Sequence, residues 1–285
     1  MSHNDGRSPR QYDEIRLTSD TETMPLRPRD FPEHLLSQGR STFTTEEAEA
    51  ILGIGRQAVL AALARLQRRG AVFSPAKSLY VAVPPEYRSL GVPPAEWFID
   101  PMMRHLNRPY YIALLTAAAF HGAAHQAPQV FQVMTDFASS LGTRRFGRQR
   151  MRFYSSKHVG DDPIGQITVP TGYAMIATKE TTVVDLVSRP RDAAGYGNVA
   201  TVLRELGPLE GSALARTASR RGRAMARRTG WLVQRFGQVD DLEALRQAAR
   251  VDLGEPALLD PAGPKRGRAD GDWAIRVNRT VEPDL

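Results

Sequence analysis

Gln57, Ala61, Arg65 and Arg68 carry the chemistry that stands out in this sequence. At about 100° per residue they fall within one narrow arc of a helix. Arginine and glutamine offer forked donors and acceptors that match base edges and phosphates, and an alanine between them permits close approach. Arg56 stands at the amino end of the same segment, and Lys77 follows on a turn. Such a set suits duplex DNA better than bond-breaking chemistry; the bland alternative is a small helical core whose cations are merely solvated.

Other candidate groups lead nowhere catalytic. His121 and His125 have the i, i+4 spacing of a helical metal pair, but Gly122 stands between them and the glutamate of a zinc protease is missing. A helix-terminal histidine or a polar contact in the fold is expected instead. Asp161-Asp162 could suggest a metal-binding pair, yet Gly160 and Pro163 predict a surface turn. Gly53-x-Gly55 lacks the later glycine of a dinucleotide fingerprint. There is no phosphate-binding loop and no serine elbow. The chain has no cysteine, which excludes disulfides and thiol catalysis. Neither an enzyme, nor a metal, nor a cofactor is expected.

The DNA-reading residues need a frame, and residues 30–92 supply one. Phe31, Leu35 and Leu36 mark a short amphipathic segment. Thr44-Thr45-Glu46-Glu47 is a capping box that opens a helix with Ala48, Ile51 and Leu52 inward. Gly53 supplies a tight turn. A second helix, roughly Arg56 to Arg69, turns Val59, Leu60, Leu63 and Leu66 to the core. Two β-like runs, Ala71 to Ser74 and Leu79 to Val83, are joined by Pro75-Ala76-Lys77 with its cation at the tip. Helix, turn, basic helix and hairpin make a winged helix-turn-helix. Thr44, Thr45, Arg56, Gln57, Ala61, Arg65, Arg68 and Lys77 are its expected DNA contacts.

Around this unit the 285 residues allow a second domain. The formal charge of +7 favours a polyanionic partner. The first 29 residues read as a flexible polar tail in which the acids offset Arg7, Arg10 and Arg16. No signal peptide and no membrane-length apolar run is evident, so a cytoplasmic protein is expected. Pro84-Pro85 and Pro93-Pro94 bracket the connection to residues 93–285. There, helices are expected from Trp97 to Leu106 and from Tyr110 to His121. Strands are expected at Val130 to Met134, Met151 to Ser155, Ile167 to Val169 and Tyr173 to Ala177. Helices follow from Thr181 to about Arg250, and Trp273 to Val277 is a last strand. The fold class is α+β, strands first and helices later.

Two basic clusters in this part are candidate phosphate or partner contacts. Arg144, Arg145 and Arg148 stand among aromatics, where the aromatics are expected to anchor a strand. Arg216, Arg220, Arg221, Arg223, Arg227 and Arg228 lie between Gly211 and Gln238, a span without one acidic residue. A solvated helix face normally mixes signs, so this run reads as an electrostatic surface.

Residues 110–135, reading YYIALLTAAAFHGAAHQAPQVFQVMT, resemble AbiEi-type antitoxins of type IV toxin–antitoxin systems. Leu79-Tyr80-Val81, Asn198-Val199-Ala200-Thr201-Val202-Leu203 and Trp273-Ala274-Ile275-Arg276-Val277-Asn278 extend the likeness. The resemblance implies an autorepressor that binds inverted repeats at its promoter, and a second domain that neutralises a nucleotidyltransferase-like toxin with or without a stable complex. The polar tail departs from the compact start of that family. A general regulator with a ligand-sensing second domain, or a nuclease-like enzyme, is the alternative.

Overall fold

A computed structural model describes residues 26–123, 128–137, 141–250, 252 and 254–284. Residues 1–25 of the expected tail, and His125, lie outside them.

The chain begins with α1 (Phe31–Ser37), β1 (Thr42–Thr44), α2 (Thr45–Leu52), α3 (Arg56–Arg68), β2 (Val72–Ala76) and β3 (Leu79–Ala82). The capping box forms: Thr44 Oγ1 accepts from the Glu47 N–H at 3.2 Å, and Glu47 Oε2 accepts from the Thr44 N–H at 2.8 Å. Gly53 ends α2 at φ +64°, a left-handed conformation that glycine adopts without Cβ strain. The core of this unit joins Phe31, Leu35, Phe43, Ala48, Leu52, Val59, Leu63 and Leu66. Phe31 meets Phe43 edge-on at 4.9 Å. Two inward assignments fail. Ile51 and Leu60 are 38% and 43% exposed, and Ala62 takes the inward place on α3. The helix sits against a small core that holds Val59, Leu63 and Leu66, and the side chain at position 60 falls past its edge.

The hairpin is tighter than expected. β2 runs through Pro75 with an irregularity between Phe73 and Ala76, and the turn is Lys77-Ser78 alone. β1 pairs antiparallel with β3, giving the order β1-β3-β2.

The second part contains α4 (Ile99–His105), β4 (Tyr110–Ile112), α5 (Leu114–Phe120), β5 (Phe131–Thr135), β6 (Thr143–Phe146), β7 (Gln149–Ser155), β8 (Ile164–Val169) and β9 (Gly172–Ala177). The strands form one mixed sheet in the order β6-β7-β5-β4-β9-β8. The expected helix from Tyr110 is overturned at its start. Tyr110, Tyr111 and Ile112 form a central strand, since aromatic and β-branched residues buried on both faces suit a pleated surface. Helix begins only after the extended Ala113.

Then come α6 (Lys179–Ser188), α7 (Tyr196–Glu205), β10 (Pro208–Leu209), α8 (Gly211–Arg220), α9 (Arg223–Phe236), β11 (Gln238–Val239) and α10 (Glu243–Ala249). β12 (Ala257–Leu258), β13 (Arg268–Asp270) and β14 (Ile275–Val277) close the chain as a small sheet in which β12 and β14 meet α9. Trp273 is fully buried there.

The two parts share packing. Leu79 and Val81 belong to the larger core, with Phe98, Tyr111 and Leu186. Phe73 of β2 lies edge-on to Phe98 at 5.1 Å and 5.7 Å from Phe146 of β6. The Gly147 turn sits so close to Leu90 that a Cβ would collide with its carbonyl, and φ is +51°.

Candidate nucleic-acid interface

The outward arc of α3 is built by subtraction. Val59, Ala62, Leu63 and Leu66 fill the inward side. That leaves Gln57, Ala61, Arg65 and Arg68 exposed on the opposite side, with Ala58 and Ala64 between them. Among the described residues no other element covers this arc. Arg68 Nε reaches only the Ala64 carbonyl, at 3.4 Å. Leu60 flanks the arc and supplies apolar surface of the kind that meets a thymine methyl; its leucine identity hid it among core positions.

Arg56 differs from its neighbours. It bridges Glu46 at 2.9 Å and Glu49 at 3.1 Å, both on α2. Its hydrogen bond holds the Glu46 carboxyl below the ordinary value, and the carboxylates raise Arg56. It ties α2 to the amino end of α3, an exposed pairing that a phosphate could compete for.

One expected contact is corrected, at Thr45. Thr45 is 1% exposed, and its N–H donates to the Ser78 carbonyl at 3.1 Å. It cannot meet DNA because α2 starts inside the unit, against the hairpin turn. Thr44 is half-buried, and its hydroxyl is engaged in the cap. Lys77 keeps an exposed side chain, but its carbonyl lies 2.9 Å from the His105 ring nitrogen. The wing is therefore pinned at its tip between α2 and α4.

Of the two distal clusters, one stays outside. Arg144, Arg145 and Arg148 are exposed on the β6–β7 hairpin. Phe146 anchors that hairpin against the wing through Phe73.

The other cluster is largely consumed by the fold. Arg221 grips Asp162 through both terminal nitrogens, at 3.1 and 2.7 Å, and Asp185 at 2.7 Å, with its side chain 9% exposed. Tyr111 donates to Asp162 at 3.2 Å. Burial pushes the Asp185 carboxyl up to about 7 against the pull of Arg221. Arg227 is 2% exposed and donates to the carbonyls of Ala249, Glu255 and Arg250. Arg228 donates to the Leu258 carbonyl at 2.8 Å. Burial holds both guanidiniums below their ordinary value. Arg221 and Arg227 are thus not surface contacts, and Arg228 is half-withdrawn. Arg220 donates to the Asp161 carbonyl, and Arg216 bonds Ser212 within its own helix at 2.9 Å. Only Arg216, Arg220 and Arg223 of this run are exposed.

The aspartate pair is corrected as well. Asp161 lies in the expected turn, but Asp162 is buried against Arg221 and is not a surface residue. His121 contacts the Ala177 carbonyl at 2.7 Å, a polar contact within the fold.

A winged helix-turn-helix with an outward basic helix, joined to an α+β domain, defines a class of transcriptional regulator. Two family models then match: "Transcriptional regulator, AbiEi antitoxin" over residues 30–83 and "AbiEi antitoxin C-terminal domain" over residues 111–235. Together they span more than half of the chain, which belongs to the AbiEi antitoxin family. The fold is shared with the RV2827C protein from Mycobacterium tuberculosis. That crystal structure matches with a TM-score of 0.58 over 88% of this chain and 91% of the other, at 14% identity. No curated protein sequence matches. No helix among the described residues is long and apolar enough to cross a membrane.

Proposed function

We propose that this antitoxin represses its own operon by laying α3 in the major groove of promoter inverted repeats, and that residues 93–285 counteract a nucleotidyltransferase-like toxin of a type IV system in the cytoplasm. The carrying observation is the uncovered arc of Gln57, Ala61, Arg65 and Arg68. Gln57 and the arginines face base edges or nearby phosphates, Arg56 lies near the backbone, and Lys77 of the short wing touches phosphate or the minor groove. The exposed arginines of β6 and its turn extend the cationic surface on the far side of the wing. Nothing in this reading requires catalysis. The nuclease-like rival predicts sustained cleavage of labelled DNA or RNA in Mg²⁺, which the purified protein should not produce.

The test is binding of the protein to a duplex from its own promoter. Arg65→Ala or Arg68→Ala should cost about 1–3 kcal/mol of affinity if the arginine pairs with guanine. Normal binding by both variants removes α3 from the groove. Loss of toxin neutralisation in variants of exposed residues within 93–285, with promoter binding retained, would support the division of labour.

One observation favours a ligand-sensing second domain. A cleft of about 380 Å³ is lined by Arg189, Arg191, Asp192, Tyr196, Asp260 and Arg279. Promoter affinity that shifts with a small anionic metabolite, and loses the shift in Arg191→Ala, would support that reading.

A further inference from the structure

A second cationic feature lies beside α3, and it is made partly by the chain that precedes α1. Leu26 packs on the core of the winged unit. Residues 27–30 close a turn in which the Asp30 N–H donates to the Arg27 carbonyl at 2.9 Å. This brings Arg27 and Arg29 alongside the last two turns of α3, where they face Arg65 and Arg69 across a hollow of about 420 Å³. Pro28, Ala62 and Leu66 form the rest of its wall. No acidic side chain lines it. Asp30 pairs loosely with Arg29 at 3.4 Å on the surface. Among the described residues, Arg27, Arg65 and Arg69 have no ion-pair partner.

Four guanidiniums around one hollow repel each other unless an anion sits between them. Their forked donors suit a tetrahedral oxyanion better than any neutral ligand. The position of the hollow narrows the choice of anion. Arg65 belongs both to it and to the outward arc of α3, so the hollow flanks the ridge that would enter the groove. A DNA strand bordering that groove would run past this flank.

We propose that the hollow seats one backbone phosphate of duplex DNA, and that residues 26–30 act as an ordered arm gripping the phosphodiester while α3 reads the bases. This rests on the reading of α3 as the recognition helix. It assigns Arg27, Arg29 and Arg69, residues outside the groove-facing arc, to sequence-independent affinity.

The test uses the full-length protein, a labelled promoter duplex and a mixed-sequence duplex of equal length, titrated between about 50 and 300 mM salt. Arg27→Ala/Arg69→Ala should melt like the wild type, since both side chains are exposed. It should bind both duplexes more weakly by the same factor, roughly tenfold at 0.1 M salt, and the slope of log K against log salt should shrink by about one. Wild-type affinity and slope in this variant, with promoter binding lost in Gln57→Ala/Arg68→Ala, would overturn the phosphate seat and leave α3 in place. Weakening on the promoter duplex alone would place these arginines on base edges and overturn the assignment. Failure of the wild type to bind either duplex would remove both readings together.

Discussion

The arginines of α3 and those of α8–α9 look alike in sequence and meet opposite fates. Both sets lie on helices or at a helix end, and neither has an acidic residue along its helices. Among the described residues no helix or strand covers the outward side of α3, and Arg65 and Arg68 stay in solvent. Over α8 and α9 the chain returns from both directions. Asp162 and Asp185 come from earlier elements to hold Arg221, and the carbonyls of residues 249, 250 and 255 come from later ones to hold Arg227. A run of arginines is therefore an electrostatic surface only where the topology leaves it one. Local charge counting cannot see a partner sixty residues away.

The largest effect is expected at Arg221. Replacing it with alanine leaves two buried carboxylates without their cation, and unfolding in denaturant should show a loss of about 3–5 kcal/mol. DNA affinity of the fraction that still folds should be unchanged. Arg68→Ala should do the reverse, costing about 1–3 kcal/mol of promoter affinity while moving stability by less than about 0.5 kcal/mol. A variant at Arg68 that unfolds the protein would erase the distinction.

Thr44→Ala tests whether that residue serves the fold or the DNA. Loss of the cap should cost about 0.5–2 kcal/mol of stability. The salt dependence of promoter binding should stay as in the wild type. A fall in affinity without a fall in stability would return Thr44 to the interface.

The smallest effect concerns pH. Burial raises Asp185 from its ordinary value to about 7, so its protonated form is favoured in the folded state. The stability it contributes is complete below about pH 4 and is lost as pH rises towards 7. Asp185→Asn removes that decline. The melting temperature of the variant relative to wild type should therefore be more favourable at pH 8 than at pH 5. A constant difference across that range would show that Arg221 keeps Asp185 ionised throughout.

Much of the winged unit was legible because its signals are local. A cap, a left-handed glycine and a helical period act within a few residues of each other, and Thr44, Gly53 and the α3 arc follow from them. Leu60 misled because the period alone does not say how wide the core is. Tyr110 to Ile112 misled for a different reason. An apolar run suits a helix or a buried strand equally until its neighbours are known, and here β5 and β9 on either side made it a strand.

The amino-acid sequence by itself determined the α+β class, the basic helix α3 and its outward Gln57, Ala61, Arg65 and Arg68. Those depend on interactions between residues a turn or two apart. Only the tertiary structure decided that the wing is pinned by α4, that Thr45 is buried, that Asp162 and Arg221 are one ion cluster, and that Arg27 and Arg29 join Arg65 and Arg69. Each of these pairs groups far apart in the chain. Such pairs form when the packing of whole elements offsets the entropy of bringing them together, and no local pattern records which elements will meet.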